Sequence, residues 1–372
     1  MITTHKIIFV DSRDLSRLPS SSIDLVVTSP PYPMIEMWDG LFSGMSASIR
    51  TALDQTEGNT AFDLMHGELD KVWAEVRRLL CNGGIACVNI GDATRTIGGE
   101  FRLFPNHSRI IAAFRSLGFS CLPLVLWRKQ TNAPNKFMGS GMLPAGAYVT
   151  LEHEYILIFR KGPKREFASK VEMARRSGSA FFWEERNGWF SDLWDFKGCK
   201  QALTRSALRS RSAAFPFELA YRLICMYSLY GDTVLDPFAG TGTTMQAAMA
   251  CGRNSIGVEI DKAFLPLLKE QIHAALALAE TIIAGRVKEH LDFIRTRREG
   301  GNLPKYLNKP HGFPVITRQE TELKLCRPGK IVETEKCTFS VEYAPLGSGV
   351  DPSAPGISAG CSGQELPVDL RP

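Results

Sequence analysis

The chain is organised around the stretch Ile23-Asp24-Leu25-Val26-Val27-Thr28-Ser29-Pro30-Pro31-Tyr32. Its first half is apolar and rich in β-branched residues, which predicts a buried strand. The two prolines end that strand, because a proline has no N–H to donate and fixes φ. The carbonyls of Ser29 and Pro30 are then left without ladder partners, beside the Ser29 hydroxyl and the Tyr32 ring. Such a turn can hold a planar group that carries an amine, and the alternative is a plain proline turn with Tyr32 as packing.

The composition is that of a soluble globular chain, long enough for one large domain and a smaller lobe or tail. Of the 372 residues, 44% are apolar and 22% are charged, and no apolar run approaches the ~20 residues that span a membrane. Met1–Lys6 lacks the apolar core of a signal peptide. The nine cysteines include no C-x-x-C pair, which argues against a zinc site and is typical of a reducing cytoplasm. We therefore expect a cytoplasmic protein without a metal site.

Positive charge is concentrated in one segment of the chain. The net charge is only +5, whereas Arg160–Arg211 alone holds 13 Lys or Arg against 6 Asp or Glu. Aromatic residues are interleaved with these cations: Phe181, Phe182, Trp183, Trp189, Phe190 and Trp194. A concentrated basic stretch is typical of a site for a polyanion, and the alternative is a solvated surface lobe. We expect Lys161–Arg211 to form an inserted lobe outside the sheet.

Strands and helices alternate along the rest of the chain, which predicts a doubly wound α/β sheet. Strands are expected at Lys6–Val10, Ile23–Thr28, Ile85–Ile90, Cys121–Trp127, His153–Phe159, Thr233–Asp236 and Ser255–Val258, and helices at Leu69–Leu80, Ile110–Leu117, Phe217–Leu229, Met245–Cys251 and Leu265–Thr296. The fourth and fifth strands are expected to pair antiparallel at one sheet edge.

The connecting segments carry further predictions. Asn82-Gly83-Gly84 is expected to end the first helix in a left-handed turn. Residues 33–62 are expected to form a mobile loop or short helices over the site. Beyond Pro304 a Pro/Gly-rich tail is expected, with one or two strands in Cys326–Tyr343 and disorder in the last ~25 residues.

A second motif, Asp236-Pro237-Phe238-Ala239-Gly240-Thr241-Gly242-Thr243-Thr244, follows a predicted strand and leads into a predicted helix. Gly240 and Gly242 let the backbone approach a ligand closely, and Glu259 ends the next strand, where a ribose diol would lie. The motif lacks the third glycine of a dinucleotide fingerprint and the lysine of a Walker loop. This favours an adenosyl cofactor without phosphate groups, and the alternative is a structural turn.

Together, Thr28–Tyr32 and Asp236–Thr244 resemble the motifs of the amino-DNA methyltransferases that use S-adenosylmethionine. The order of the motifs, about 200 residues apart, is similar to that of the circularly permuted beta class, in which a basic target-recognition region lies between them. The resemblance covers roughly residues 5–300 and implies the Rossmann-like doubly wound mixed sheet of class I methyltransferases. It also implies four units: 1–160 (catalytic half), 161–211 (DNA target-recognition lobe), 212–300 (cofactor-binding half) and 301–372 (C-terminal extension).

The resemblance assigns roles to individual residues. Ser29 and the Pro30 carbonyl would accept hydrogen bonds from the exocyclic amine of a flipped base, with Pro31 in the same turn and Tyr32 stacking on the base. Asp11 would contact the adenine amine of the cofactor. Further cofactor contacts are implied for Thr28, Phe215, Pro216, Glu218, Asp236, Pro237, Phe238, Ala239, Gly240, Thr241, Gly242, Thr243 and Glu259, the last on the ribose. DNA contacts are expected from Lys164, Arg165, Arg175, Arg176 and Arg186.

The resemblance implies methyl transfer to an exocyclic amine of a base flipped out of double-stranded DNA. Accepting both N–H bonds of that amine with oxygens favours a pyramidal nitrogen whose lone pair faces the sulfonium methyl group. In the family, serine at the first position of the turn is mostly associated with cytosine N4, and Asp or Asn with adenine N6, so Ser29 favours cytosine.

Three alternatives remain open: adenine N6 methylation, a DNA-binding module with a vestigial cofactor site, and methylation of a small-molecule or protein amine. We further expect a monomer or weak dimer, and a restriction endonuclease for the same DNA site as a candidate partner.

Overall fold

The computed structural model describes residues 1–129, 138–197 and 215–346. Its strands are β1 (Ile2–Phe9), β2 (Ile23–Thr28), β3 (Leu80–Ile90), β4 (Ala93–Ile97), β5 (Glu100–Phe104), β6 (Phe119–Cys121), β7 (Val125–Arg128), β8 (Met138–Gly139), β9 (Ala147–Tyr148), β10 (His153–Lys161), β11 (Leu193–Asp195), β12 (Thr233–Asp236), β13 (Asn254–Glu259), β14 (Tyr306–Leu307), β15 (Pro314–Val315), β16 (Cys326–Glu335) and β17 (Thr338–Pro345). Its helices are α1 (Asp39–Met45), α2 (Ala47–Asp54), α3 (Gly58–Leu79), α4 (Asn106–Ser116), α5 (Lys170–Gly178), α6 (Trp183–Trp189), α7 (Phe217–Tyr227), α8 (Thr243–Ala250) and α9 (Leu265–Glu299).

The main sheet has the strand order β11-β7-β10-β3-β2-β12-β13-β1-β17-β16, with β6 beside β10. Its five central strands, from β3 to β1, run parallel to one another. The strands that flank them, β10 and β17, run antiparallel to their inner neighbours. The carboxyl ends of the five parallel strands therefore share one edge of the sheet, here called the carboxyl edge, and the opposite edge is the amino edge. The predicted doubly wound α/β fold is confirmed.

Both faces of the central strands are covered by helices. On β2, Val26 packs into a core with α3 and α4, while Leu25 and Val27 pack into a second core with α7 and α8. Successive side chains of a strand point to opposite faces, so a strand covered on both sides reads as one apolar run. This burial explains why the sequence alone locates β2 at its observed bounds, Ile23–Thr28.

The predicted turn at Asn82–Gly84 does not end a helix. The helix α3 ends at Leu79, the next residue is already extended, and Asn82–Gly84 lies inside β3. Gly83 has a φ of +80°, and a Cβ there would come within 2.7 Å of the backbone nitrogen of Arg165. The glycine thus permits an irregularity in a strand that another segment crosses closely.

The expectation that Lys161–Arg211 stays outside the sheet is wrong for Lys161, which ends β10, and for Leu193–Asp195. Its strand β11 (Leu193–Asp195) pairs parallel with β7 and forms the sheet edge, outside the predicted antiparallel pair β7–β10. Trp194 is buried in the same core as Trp127. Trp189 is buried in this core as well, so two of the segment's aromatic residues pack beside the sheet, which a charge count does not reveal. Residues 198–211 lie outside the described part, and the division into four units stays a prediction.

The C-terminal extension also contributes to the sheet. Its strands β16 and β17 form a hairpin, and β17 pairs with β1, which confirms the predicted strands in Cys326–Tyr343. The side chains of Phe339 and Val341 pack against α9, so a thin tail directly beyond Pro304 was the wrong expectation. The predicted disorder of the last residues concerns 347–372, which lie outside the described part. Within the described ranges, no helix is long and apolar enough to cross a membrane.

Candidate active site

The Ser29–Tyr32 turn lies at the carboxyl edge, directly after β2. Tyr32 is only 9% exposed, and its hydroxyl accepts from the Ser29 Oγ at 3.1 Å and donates to the Glu154 carboxylate at 3.1 Å. Within the described ranges, no N–H or O–H group donates to the carbonyls of Ser29 and Pro30. The turn thus keeps two carbonyl acceptors available, as the two prolines predict.

Asp236 joins this turn to the Gly-rich loop. Its carboxylate accepts from the Thr28 hydroxyl at 2.6 Å, from the Thr244 hydroxyl at 2.7 Å and from the Phe238 N–H at 3.0 Å. The side chain is buried, and that burial raises the pKa of Asp236 above its ordinary value. Thr28 and Asp236 therefore fix the relative positions of the two motifs.

The loop is closed on its other side by Glu259, at the end of β13. The Glu259 carboxylate accepts from the Gly240 N–H at 2.9 Å and from the Asp261 N–H at 2.9 Å. Burial raises the pKa of Glu259. The carboxylate is held by backbone groups, in the position where an acceptor for a ribose diol is expected.

The two glycines of the loop differ in the space that a side chain would have at each position. Gly240 has a φ of +49°, and a Cβ there would meet only one atom, the Phe238 carbonyl oxygen at 3.9 Å. Gly242 immediately precedes α8 with a φ of +86°, and its Cβ would come within 2.7 Å of the Leu268 Cδ2. Gly242 therefore permits a turn and a close approach to α9, rather than a close approach to a ligand.

A cavity of about 600 Å³ lies between the turn and the loop, within the range of about 300–1,000 Å³ typical of small-molecule sites. Of the residues proposed from the sequence, the cavity is lined by Asp11, Ser29, Pro30, Pro31, Phe215, Asp236, Pro237, Phe238, Ala239, Gly240, Thr241, Thr243 and Glu259. Trp38, Leu41 and Met45 of the segment 33–62 also line it. The segment contains the short helices α1 and α2, and α1 lies against the cavity, as expected.

Four of the proposed cofactor residues lie outside the cavity lining. Thr28 is buried behind Asp236, and Gly242 packs against α9. Pro216 precedes the first residue of α7, and the Glu218 carboxylate accepts from the Arg222 guanidinium at 2.6 Å.

Arg13 is a cavity residue that the sequence did not single out. It holds both carboxylate oxygens of Asp11 at 2.6–3.0 Å and contacts Glu68 at 2.5 Å. The Arg13 guanidinium keeps the pKa of Asp11 below its ordinary value. Arg13 lies only two residues after Asp11, so the sequence could have indicated it as a cavity residue. Glu68 lies in the middle of α3, where no sequence pattern indicates a role in the site.

A buried polar network lies beneath Tyr32. The Asn89 side-chain amide donates to the Tyr32 hydroxyl at 2.9 Å and to the Glu154 carboxylate at 2.6 Å. The Lys129 ammonium contacts the other Glu154 oxygen. These residues were also missed, although Asn89 and Glu154 lie at the carboxyl-edge ends of two predicted strands.

Two of the cations proposed for DNA binding lie at the opposite side of the sheet. Arg165 and Arg175 contact the buried carboxylate of Asp232 at 2.6 Å and 2.9 Å. Asp232 immediately precedes β12 and is therefore at the amino edge. The structure thus uses both arginines to compensate a buried charge, away from the turn and the loop.

The other three proposed cations also lie outside the cavity lining. Lys164 is exposed, and the guanidinium groups of Arg176 and Arg186 lie over the rings of Phe167 and Phe190, at 4.8 Å and 5.1 Å. At the carboxyl edge, the end of β7 carries Arg128, whose side chain is 55% exposed and lies 3.8 Å from the Asp195 carboxylate.

A doubly wound sheet that carries a turn with two free carbonyl acceptors, a Gly-rich loop and an acidic strand end on one edge defines a class I methyltransferase. A family model described as DNA methylase matches residues 23–270. The type II methyltransferase M.MthZI of Methanothermobacter thermautotrophicus is 53% identical over 345 residues, covering 92% of this chain and 96% of the relative. M.MjaI of Methanocaldococcus jannaschii is 52% identical over 281 residues, covering 73% and 91%.

Among solved structures, TTHA0409 of Thermus thermophilus, assigned as a DNA modification methylase and complexed with S-adenosyl-L-methionine, is 33% identical with a TM-score of 0.57. The match covers 73% of this chain and 95% of that one. This chain belongs to the DNA methylase family of the N4/N6 class.

Proposed function

We propose that this DNA methyltransferase moves a methyl group from S-adenosylmethionine to the exocyclic N4 amine of a cytosine flipped out of duplex DNA. The observation that carries the proposal is the cavity shared by the two motifs. Ser29 and Pro30, with free acceptor oxygens, line the same space as the Gly240 loop and Glu259. A target amine and a cofactor would therefore meet in one space.

The charges around the cavity fit the proposed cofactor. The charged residues of its lining are five acids and one base: Asp11, Glu68, Asp236, Glu259, Asp261 and Arg13. The single arginine is already paired with Asp11 and Glu68. The surplus of carboxylates would repel a phosphate group here, whereas it would attract a cofactor with a sulfonium and an ammonium group. When bound, S-adenosylmethionine supplies a methyl group on positively charged sulfur.

The chain's own contribution to the reaction is positioning. Ser29 Oγ and the Pro30 carbonyl would accept the two N–H bonds of the target amine, which directs its lone pair toward the methyl carbon. Methyl transfer would form the N–C bond as the methyl–sulfur bond breaks and leaves its electron pair on sulfur, and the amine would then release a proton to solvent. No covalent bond to the protein is needed. The target base is inaccessible inside a duplex, so it must flip out.

Cytosine is proposed rather than adenine because the turn begins with Ser29. The relatives M.MthZI and M.MjaI are type II methyltransferases, which supports a role in modifying the DNA site of a restriction endonuclease. The monomeric or weakly dimeric state, the cytoplasmic location and the absence of a metal site stay predictions.

Mass spectrometry of nucleosides tests the proposal. Unmodified duplex DNA of diverse sequence is incubated with the full chain and S-adenosylmethionine labelled on the methyl group, and then digested to nucleosides. Label in N4-methylcytosine is the expected result, with the Ser29→Ala protein as the control. Label in N6-methyladenine would support methylation of a DNA amine but would contradict cytosine as the target base. Cofactor binding without any labelled nucleoside would contradict the proposed activity on duplex DNA.

A further inference from the structure

The Tyr32 hydroxyl has three protein partners and only one hydrogen to donate. It donates to Glu154 Oε2 at 3.1 Å, because a carboxylate can only accept. Toward Ser29 and Asn89 the same oxygen is an acceptor, at 3.1 Å and 2.9 Å. The direction of each hydrogen bond in this cluster is therefore determined by the chemistry of Glu154.

The direction of these hydrogen bonds also determines how Ser29, which lines the cavity, uses its hydroxyl group. Because Tyr32 cannot donate to Ser29, the single hydroxyl hydrogen of Ser29 points at Tyr32. Only the lone pairs of Ser29 Oγ are then left for a target base. An exocyclic amine must donate its N–H bonds to be held, so this is the polarity that the proposed reaction requires.

We infer that Glu154 is a positioning residue that sets the hydrogen-bond polarity of the Tyr32–Ser29 pair and so keeps Ser29 an acceptor for the target amine. This inference rests on the proposed function of the Ser29 turn. Glu154 lies on β10, 122 residues from Tyr32, and is 9% exposed. It acts through Tyr32, without touching the base itself.

The neighbours of Glu154 fix its orientation. Asn89 donates to Glu154 and to Tyr32 from the same amide nitrogen. The reversed amide would place its oxygen against the carboxylate, which is unfavourable. Lys129 contacts the second carboxylate oxygen, and Gly91 leaves room, since a Cβ there would lie 3.1 Å from the Tyr32 ring and 3.3 Å from the Glu154 Cγ.

The isosteric variant Glu154→Gln tests this polarity. The Lys129 ammonium requires an acceptor, so the glutamine would turn its oxygen to Lys129 and its N–H₂ group to Tyr32. Residue 154 would then no longer impose the direction of the Tyr32–Ser29 hydrogen bond, and the Ser29 hydrogen would be free to face the incoming amine. We expect kcat for methyl transfer to fall by about 10- to 100-fold, with the cofactor Kd and the Tm close to those of the wild type. The exposed neighbour variant Glu152→Gln is the matched control and should keep wild-type activity.

Two double variants separate positioning from a merely structural role. Adding Lys129→Met to Glu154→Gln frees the glutamine to present its oxygen to Tyr32, and kcat should recover to within about 5-fold of the Lys129→Met single variant. On a Tyr32→Phe background the hydroxyl that connects Glu154 to Ser29 is absent, so Glu154→Gln should change kcat by less than about 3-fold.

The outcomes distinguish this inference from the proposed function. If the wild type methylates a DNA amine and Glu154→Gln is as active, or if Lys129→Met gives no recovery, the inference is overturned while the function stands. An equal loss on the Tyr32→Phe background would also overturn it. If the wild type labels no amine in DNA, the proposed function itself fails.

Discussion

The Thr28 hydroxyl donates to the Asp236 carboxylate at 2.6 Å, across 208 residues of sequence. Thr28 immediately precedes the Ser29 turn, and Asp236 begins the Gly-rich loop. Both side chains are almost fully buried, so the hydrogen bond is shielded from water. The two motifs of the active site are thus held to each other directly, through adjacent parallel strands.

Replacing Thr28 by valine should destabilise this junction. The valine keeps the β-branched shape but leaves the buried carboxylate of Asp236 without one of its donors. We expect the free energy of unfolding in urea to fall by about 1–3 kcal/mol. Thr334→Val, at an exposed position of β16, is the control and should change it by less than about 0.5 kcal/mol. Equal stabilities of the two variants would show that the Thr28–Asp236 hydrogen bond contributes nothing.

Removing the Ser29 hydroxyl should separate catalysis from cofactor binding. Ser29→Ala removes one of the acceptors for the target amine, so kcat should fall by about 10²-fold or more. The cofactor Kd, measured by calorimetry, should remain near the wild-type value, because Glu259 and the Gly240 loop are untouched. The exposed Ser16→Ala is the control. Full turnover by Ser29→Ala would mean that another group holds the amine.

The two glycines of the loop should respond differently to alanine. Gly242→Ala combines a left-handed φ of +86° with a Cβ at 2.7 Å from Leu268, and we expect a loss of about 2–4 kcal/mol in stability. Gly240→Ala meets no atom closer than 3.9 Å, so only the backbone strain of about 1 kcal/mol remains. Thermal unfolding of the two proteins compares these costs. A larger loss for Gly240→Ala would contradict the packing assigned to Gly242.

The free energy of unfolding should decrease in acid partly because of the buried His5. His5 is fully buried between the hydroxyls of Thr3 and Ser255, at 2.8 Å and 2.7 Å, and burial lowers its pKa to about 3. Between pH 6.5 and about 3 the unfolded chain binds a proton that the folded chain does not. The contribution of neutral His5 to the free energy of unfolding is therefore fully present above pH 6.5. It is lost as the pH falls, by about 1.4 kcal/mol per pH unit for this one histidine.

The His5→Gln variant checks this linkage. Its unfolding free energy, measured at several pH values between 6.5 and 4, should decrease less steeply with acid than that of the wild type. The exposed His273→Gln is the matched control and should keep the wild-type slope. An unchanged slope in His5→Gln would assign the acid sensitivity to other groups.

The two sides of the sheet should differ in their effect on DNA binding. Arg165→Gln weakens the pairing of the buried Asp232 at the amino edge, so stability should fall by up to about 3 kcal/mol while the salt dependence of DNA binding stays unchanged. Arg128→Gln removes an exposed charge at the carboxyl edge that is only loosely paired, at 3.8 Å, with the exposed Asp195, and it should reduce the slope of log K against log salt by up to about 0.9. Fluorescence titrations at several salt concentrations measure both slopes. A reduced slope for Arg165→Gln would place DNA on the amino edge.

The local elements of this protein could be predicted because their signals are local. A β-branched run followed by two prolines determines where β2 ends. A glycine-rich turn before an apolar run indicates the start of α8, which was expected at Met245 and is observed at Thr243. The same reasoning failed at Asn82–Gly84, where the glycines that commonly end a helix instead form an irregular strand. Gly83 is needed there because a side chain would collide with the backbone of Arg165, which is distant in sequence, and no local pattern indicates that contact.

The sequence by itself determined the two motifs, the order of the central strands and helices along the chain, and the presence of a surplus of basic residues between Arg160 and Arg211. Only the tertiary structure decided that Glu154 lies beneath Tyr32, and that two of the basic residues compensate Asp232 at the far edge. The physical reason is that composition and periodicity fix what each segment becomes. Which segments become neighbours depends on strand pairing across the whole chain, and that pairing determines which charges and hydroxyls meet.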